Sequence, residues 1–268
     1  MSAFPTDDEL RFSNAQYAVA LRRLLRRPLG LDVGEAEHCL CKRGGLAATA
    51  MSDYHAEVCG YCGKIARHDK CNAVLVRAMR AAGVHVVPGE PRGLPGFGQG
   101  GDSLLYTASP AIGNAITDFT VVHVQQACHL PAAAFHPLHA ASEAEKDKRD
   151  KHAAKARALQ LGFWPLAMES GGAVGKSLQE FLRALRDLHD AGSDEPSTPI
   201  AGSTWANRTF MPHWVQRLSC VFQKTTADGL IARAQRLARR QGEGFYPPGG
   251  ALPVFRVEAR QREPPRMR

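Results

Sequence analysis

The chain has 268 residues, 44% hydrophobic and 22% charged, ordinary globular proportions that supply enough apolar material for a sizeable core and exclude wholesale disorder. A formal net charge of +8 points to an acidic polymer as partner, because clustered Lys and Arg release counterions from a phosphate backbone. No run approaches the roughly 18 consecutive apolar residues of a membrane span, and the start, MSAFPTDDELRF, carries acids where a signal peptide needs a basic and then an apolar run. The expectation is an intracellular or nuclear protein that is neither secreted nor membrane-bound.

Taken in order, Asn14 to Arg27 predicts a helix with Tyr17, Leu21, Leu24 and Leu25 on one side and Arg22, Arg23, Arg26 and Arg27 alongside, closed by Pro28. Such arginines suit either a solvated face or a phosphate-facing one. Five of the seven cysteines, Cys39, Cys41, Cys59, Cys62 and Cys71, then fall within 33 positions beside His38, His55 and His68. In a reducing compartment that pattern suggests metal rather than disulfides. His38-x-x-Cys41 and Cys59-x-x-Cys62 form two pairs at zinc-knuckle spacing, separated by 17 residues. Two such pairs can close a tetrahedral zinc site, with His55, Cys39 and Cys71 as substitute ligands.

A second helix is expected from Asp69 to Ala82, ended by Gly83. Val84 to Val87 predicts a short strand stopped by Pro88, and a Gly/Pro-rich stretch runs on through Gly101. Asp102 to Thr107 and Thr117 to Val124 supply two further strands around a turn, completing a meander. Ser142 to Leu161 has the charge and alanine content of a long exposed helix capped by Gly162. Phe163 to Met168 is an apolar strand, and Val174 to Leu188 a helix with one apolar face. After a polar linker, Trp214 to Arg240 returns to helix, interrupted near Asp228-Gly229, and the tail from Gln241 has the composition of a disordered segment.

The chemistry concentrates on two aspartates. Asp102 and Asp118 open the middle strands, and alternation puts Asp118, Thr120, Val122 and Val124 on one face, with Phe119, Val121 and His123 on the other. An aspartate at a strand mouth can simply face water. Two carboxylates on neighbouring strands can also share Mg²⁺, which activates water and neutralises charge on a scissile phosphate. Phosphodiester cleavage gains further from a cation near the phosphate, and the following helix offers Lys148 and Lys151. There Glu145 and Lys148 are three apart, Lys148 and His152 four apart, so these side chains share a face.

The stretches DDELRF, ALRRLLRRPLGL, HCLCKRGG, RHDKCNAVLVRAMRAAGVHVVPGEP, GDSLL, ITDFTVVHV, EKDKRDKH and FWPLAMESGG, in that order over residues 7–240, resemble the region after the polymerase in site-specific non-LTR retrotransposon polyproteins. That region is a restriction-like endonuclease of the PD-(D/E)XK type, with a core of helix, three strands, helix, strand. The resemblance implies that Asp102 and Asp118 are the two metal-binding acids, that Lys148 stands near the catalytic lysine of the following helix, and that Arg67 and His68, before the first core helix, approach the nucleic acid or the site. The chain departs from the pattern at Thr120, where the strict motif has its lysine, at Gly101, and at His152, where a tyrosine is usual.

The expected fold class is therefore α/β, a restriction-endonuclease-like core over residues 67–192, preceded by a basic helical segment (1–37) and the Cys/His zinc segment (38–66). A linker (193–204), a C-terminal helical extension (205–240) and a disordered basic tail (241–268) follow. The expected function is Mg²⁺-dependent DNA endonuclease, nicking a strand without a polymerase of its own. Asp102 and Asp118 would hold the metal, Lys148 or Lys151 would stabilise charge, and Arg22, Arg23, Arg26, Arg27, Arg67 and His68 would contact DNA, or RNA as the other suitable polymer. Two alternatives stand beside it. One is an inactive nucleic-acid-binding remnant. The other is a nucleotide hydrolase, because Gly175-Lys176-Ser177 is the tail of a phosphate-binding loop, although Ser170 stands where its first glycine belongs.

Overall fold

The computed structural model describes residues 10–25, 27, 29, 31, 63–90, 94, 100–126, 128–192 and 209–241. Six helices and four strands follow one another along it. Helix α1 spans Asn14–Leu24 and α2 Lys64–Ala81; strands β1 (His85–Pro88), β2 (Ser103–Tyr106) and β3 (Ala115–Val122) come next. The short α3 (Leu130–Ala133) leads into the long α4 (His139–Ala158), then β4 (Gly162–Glu169), α5 (Lys176–Ala191) and α6 (Phe210–Gln241). No helix among the described residues is long and apolar enough to cross a membrane.

The four strands form one mixed sheet in the order β1-β2-β3-β4. β1, β2 and β3 are an antiparallel meander, whereas β4 runs parallel to β3, with Asp118 opposite Pro165 and Thr120 opposite Ala167. A parallel neighbour requires a crossover, and α4 provides it.

Alternation along the strands divides the core between the two faces of the sheet. Leu105, Ala115, Phe119, Leu166 and Met168 join α2, α5 and α6 in the main core, around Leu75, Met79, Phe181, Leu182 and Phe222. On the opposite face Leu104, Ile116 and Val122 meet Ala140, Ala141 and Ala156 of α4. Small side chains bring α4 close to the sheet at both ends. Helix α1 lies on α6 through Val19, Ala227 and Leu230.

Several sequence expectations need correction. Helix α2 starts at Lys64, five residues before Asp69, so Arg67 and His68 lie inside it rather than ahead of it. Its N-cap is Gly63, at φ 75°, without a side-chain cap that the sequence could advertise. Helix α4 closes before Gly162: Gln160 takes the left-handed position at φ 56°, and Gly162 begins β4, where a Cβ would stand 3.3 Å from that of Ala115. Asp228-Gly229 does not interrupt the last helix. Gln16 Nε2 donates to Asp228 Oδ1 at 2.6 Å, and the position a Cβ would take on Gly63 is 3.4 Å from Gly229 Cα, so this dipeptide serves contacts with α1 and with the start of α2. Helix α6, expected as an extension, contributes Phe210, Trp214, Leu218, Val221 and Phe222 to the main core.

Candidate active site at the open edge of the third strand

β2 pairs with β3 only as far as Ser103 opposite Thr117, so β3 runs past its partner from Asp118 onward. Backbone groups left at such an edge need partners, and Asp102 and His68 supply them. The Phe119 N–H donates to Asp102 Oδ2 at 2.6 Å, and His68 Nε2 donates to the Phe119 carbonyl at 3.0 Å. The same Nε2 lies 3.2 Å from Asp102 Oδ2, while Nδ1 lies 3.2 Å from Asp69. Its hydrogen bond to Asp102 is the chief reason the His68 imidazole is raised to about 9, against the opposing effect of burial. His68 is therefore an imidazolium at neutral pH. Asp102 is itself fixed through its backbone, donating to the Thr117 carbonyl and accepting from Gly89 N–H, both at 2.7 Å.

Asp118 is the residue immediately before the amide that Asp102 binds. It shares the α4 face of β3 with Ile116 and Val122, and Lys148 Nζ reaches its Oδ1 at 2.6 Å. The Asp118 side chain is 9% exposed and the Lys148 side chain 26%. Asp102 is thus paired with His68, and Asp118, one residue before the amide that Asp102 binds, is paired with Lys148. Lys151, one turn further along α4, is exposed.

The face of α4 that carries Lys148 is polar at intervals of three and four residues. Glu145 is buried and accepts the Ser177 N–H on both carboxylate oxygens, each at 3.2 Å, at the first turn of α5. Burial pushes its carboxyl above the ordinary range, and bonds from the Ser177, Leu178 and Ala167 amides pull it back. Near the start of the helix, Glu169 Oε1 accepts the Ala141 N–H at 3.3 Å. Further on, His152 stacks against Phe163 with centroids 5.6 Å apart, under the glycines that precede Asp102. A Cβ on Gly100 would stand 2.6 Å from His152 Cε1. Burial lowers the His152 imidazole, with Lys151, Lys148 and Lys155 adding to the effect against Asp118. Sequence reasoning missed the anchoring parts of Glu145 and Glu169, although the shared face of Glu145, Lys148 and His152 was visible in their spacing.

The expected nucleic-acid contacts divide. Arg22 and Arg27 are exposed. Arg23 is buried, donating to Gln223 Oε1 at 2.9 Å and to the Ser170 carbonyl, with its guanidinium 5.6 Å from the Phe222 ring centroid. Arg67 is buried on the same ring at 5.5 Å. A polyanion therefore does not meet these two, because the packing of α1 and α2 on α6 consumes them. Arg26 and the zinc candidates His38, Cys41, Cys59 and Cys62, with Cys39 and His55, lie outside the described residues. Cys71, a substitute zinc ligand on sequence grounds, is instead a core residue whose thiol burial raises to about 12.

The loop resembling a phosphate-binding motif is also spoken for. The Ser177 amide that a phosphate would take already binds Glu145, and a Cβ on Gly175 would collide with the same carboxylate. A helix N-terminus attracts anions, and here an internal one fills it.

Among the described residues no three His, Cys, Asp or Glu side chains gather as a metal cage. Mg²⁺ does not require one: it binds through one or two carboxylates and completes its shell with water and phosphate oxygens. Asp102 and Asp118 are donors of that kind, and the bonds described engage Oδ2 of the first and Oδ1 of the second, so each carboxylate has another oxygen. No protein-family model matches the chain, and no curated protein matches it significantly.

Proposed function

We propose that this chain is a Mg²⁺-dependent endonuclease of the restriction-like type, cutting one strand of DNA, and that it derives from the C-terminal region of a non-LTR retrotransposon polyprotein. The observation that carries the reading is the Lys148–Asp118 bond of 2.6 Å at the strand edge where Asp102 is also held. An element order of helix, three strands, helix, strand supports it, because that order matches the core of the proposed class. A lysine arriving from α4 also accounts for Thr120, since a cation reaches the acid from the helix instead of from two residues along the strand.

Asp102 and Asp118 would hold the metal ion, which when bound activates water and neutralises charge on the phosphate. Lys148 keeps a cation where charge develops on the phosphoryl oxygens, already oriented before substrate arrives. His68 fixes the Asp102 carboxylate against the Phe119 backbone, so that one oxygen is tied and the acid cannot turn away. Exposed Arg22, Arg27 and Lys151 would meet the polyanion, and His38, Cys41, Cys59 and Cys62 would bind zinc.

One specific observation favours the alternative of an inactive nucleic-acid-binding remnant: both acids are already paired with cations inside the protein. Incubation of supercoiled plasmid with the purified chain and Mg²⁺ separates the two. The nuclease reading expects conversion to the open circle, with Asp118→Ala slower by at least about a hundredfold, a typical effect of losing one organised electrostatic group. Equal conversion by wild type and Asp118→Ala, or none by either, overturns it.

A further inference from the structure

We propose that Glu145 is the positioning residue for Lys148, setting through α4 the rotation and height at which the ammonium meets Asp118; its catalytic meaning rests on the nuclease reading above. The inner stripe of α4 runs Ala141, Glu145, Lys148, His152, Ala156, at steps of four, three, four and four residues, so all five face the sheet. Its apolar members against the strands are alanines. Methyl groups bring a helix close, but their contacts are non-directional and resist sliding weakly. A lysine bond of 2.6 Å needs more, because a shift of a single residue along the axis is about 1.5 Å and turns the side chain away.

Directional contacts supply that register. Glu145 stands one turn before Lys148, and its two carboxylate oxygens share the Ser177 N–H, each at 3.2 Å, which aligns the carboxylate with the start of α5. Gly175, which lies against the same carboxylate, donates its N–H to the Ala167 carbonyl of β4 at 2.9 Å, and Ala167 lies across from Thr120, two residues beyond Asp118 on β3. The carboxylate thus measures α4 against the strand pair that carries the acid. Burying a carboxylate is a poor way merely to attach two helices, since an apolar side chain would cover the same surface without loss of hydration. What the carboxylate adds is direction.

Two substitutions displace this anchor without touching Asp118. Glu145→Gln removes the charge and places an NH₂ among donors. Gly175→Ala keeps Glu145 but puts a methyl group where its carboxylate and, at 2.7 Å, the Ala167 carbonyl now lie. Full-length wild type and both variants are labelled briefly with acetic anhydride, and the rate at Lys148 is compared with that at exposed Lys151 by peptide mass spectrometry. In the wild type Lys148 should react about tenfold more slowly, as befits a charge-assisted bond. Both variants should raise the Lys148 rate severalfold, leave Lys151 unchanged and still melt cooperatively. Unchanged protection of Lys148 in a folded variant overturns the proposal. Loss of cooperative melting in both variants also overturns it, because Glu145 would then be a determinant of folding first. Plasmid nicking is read separately: a wild type that fails to nick removes the nuclease reading, while the labelling ratio still decides the positioning role.

Discussion

Replacing Arg23 with Ala removes a guanidinium that is 8% exposed, donates to Gln223 and to the Ser170 carbonyl, and faces the Phe222 ring. A hydrogen bond to a charged group contributes about 1.5–3 kcal/mol, and a desolvated cation–π contact about 1–2 kcal/mol. The contacts share one side chain and do not add fully, so the expected loss is about 3–5 kcal/mol. Its neighbour Arg22 is exposed, and Arg22→Ala should change stability by less than about 0.5 kcal/mol. Urea denaturation measures both: with a slope near 3 kcal/mol per molar, Arg23→Ala should lower the midpoint by about 1 M or more at unchanged slope. Binding of a short DNA duplex across a salt series completes the comparison. Arg22→Ala should reduce the slope of log K against log salt by about 1, the signature of one lost phosphate contact, and Arg23→Ala should leave it unchanged while the protein is folded. A wild-type urea midpoint for Arg23→Ala would refute the structural assignment. So would a reduced salt slope in Arg23→Ala with none in Arg22→Ala.

Gly100→Ala should slow plasmid nicking by about tenfold or more with only a modest fall in melting temperature, since overpacking at this contact with His152 shifts the strand entry two residues before Asp102; unchanged nicking rates would show that the loop is not coupled to the acid. Burial, reinforced by Arg217, lowers the His213 imidazole from 6.5 to about 4. The unfolded chain takes up that proton first, so the contribution of neutral His213 is complete above pH 6.5 and lost as pH falls toward 4, at about 1 kcal/mol per pH unit. His213→Gln should flatten the urea midpoint between pH 7 and pH 5, and an identical pH profile in the variant would contradict this. For the zinc segment, purified protein should carry about one zinc per chain by elemental analysis, and Cys59→Ser with Cys62→Ser should abolish it; undiminished zinc in the double variant rules out these ligands.

The strands were legible in the sequence because their residues alternate and because glycine and proline punctuate them, although β3 begins at Ala115, so Asp118 is buried within it where it was expected to open it. Ile116, Asp118 and Val122 face α4, whereas Ala115 and Phe119 face the main core, as period two requires. Less legible was the long charged helix. EAEKDKRDKH looks solvated because most of its charges are, and the inward stripe replaces the expected leucines with alanine, glutamate, lysine and histidine. Arg23 and Arg67 were misplaced for a related reason. An arginine run on a basic chain resembles a phosphate-binding face, and only the partner helix reveals Phe222 and Gln223 beneath Arg23; Arg67, outside that run and placed through the resemblance, packs on the same ring.

A helix N-terminus offers its free amides to whatever anion lies nearest, whether a ligand phosphate or a side chain of the same protein. GAVGKS was ambiguous for that reason, since the loop and its amides are the same in either case, and the difference lies 32 residues away at Glu145. Once that carboxylate occupies the start of α5, the end of β4 no longer serves nucleotide binding and becomes a fixed point for α4. The lysine three residues further on then inherits a fixed position at Asp118. The Lys148–Asp118 bond thus lies one turn along α4 from an anion site that the fold closes internally, and a change that reopened that site should move Lys148 before it moved either aspartate.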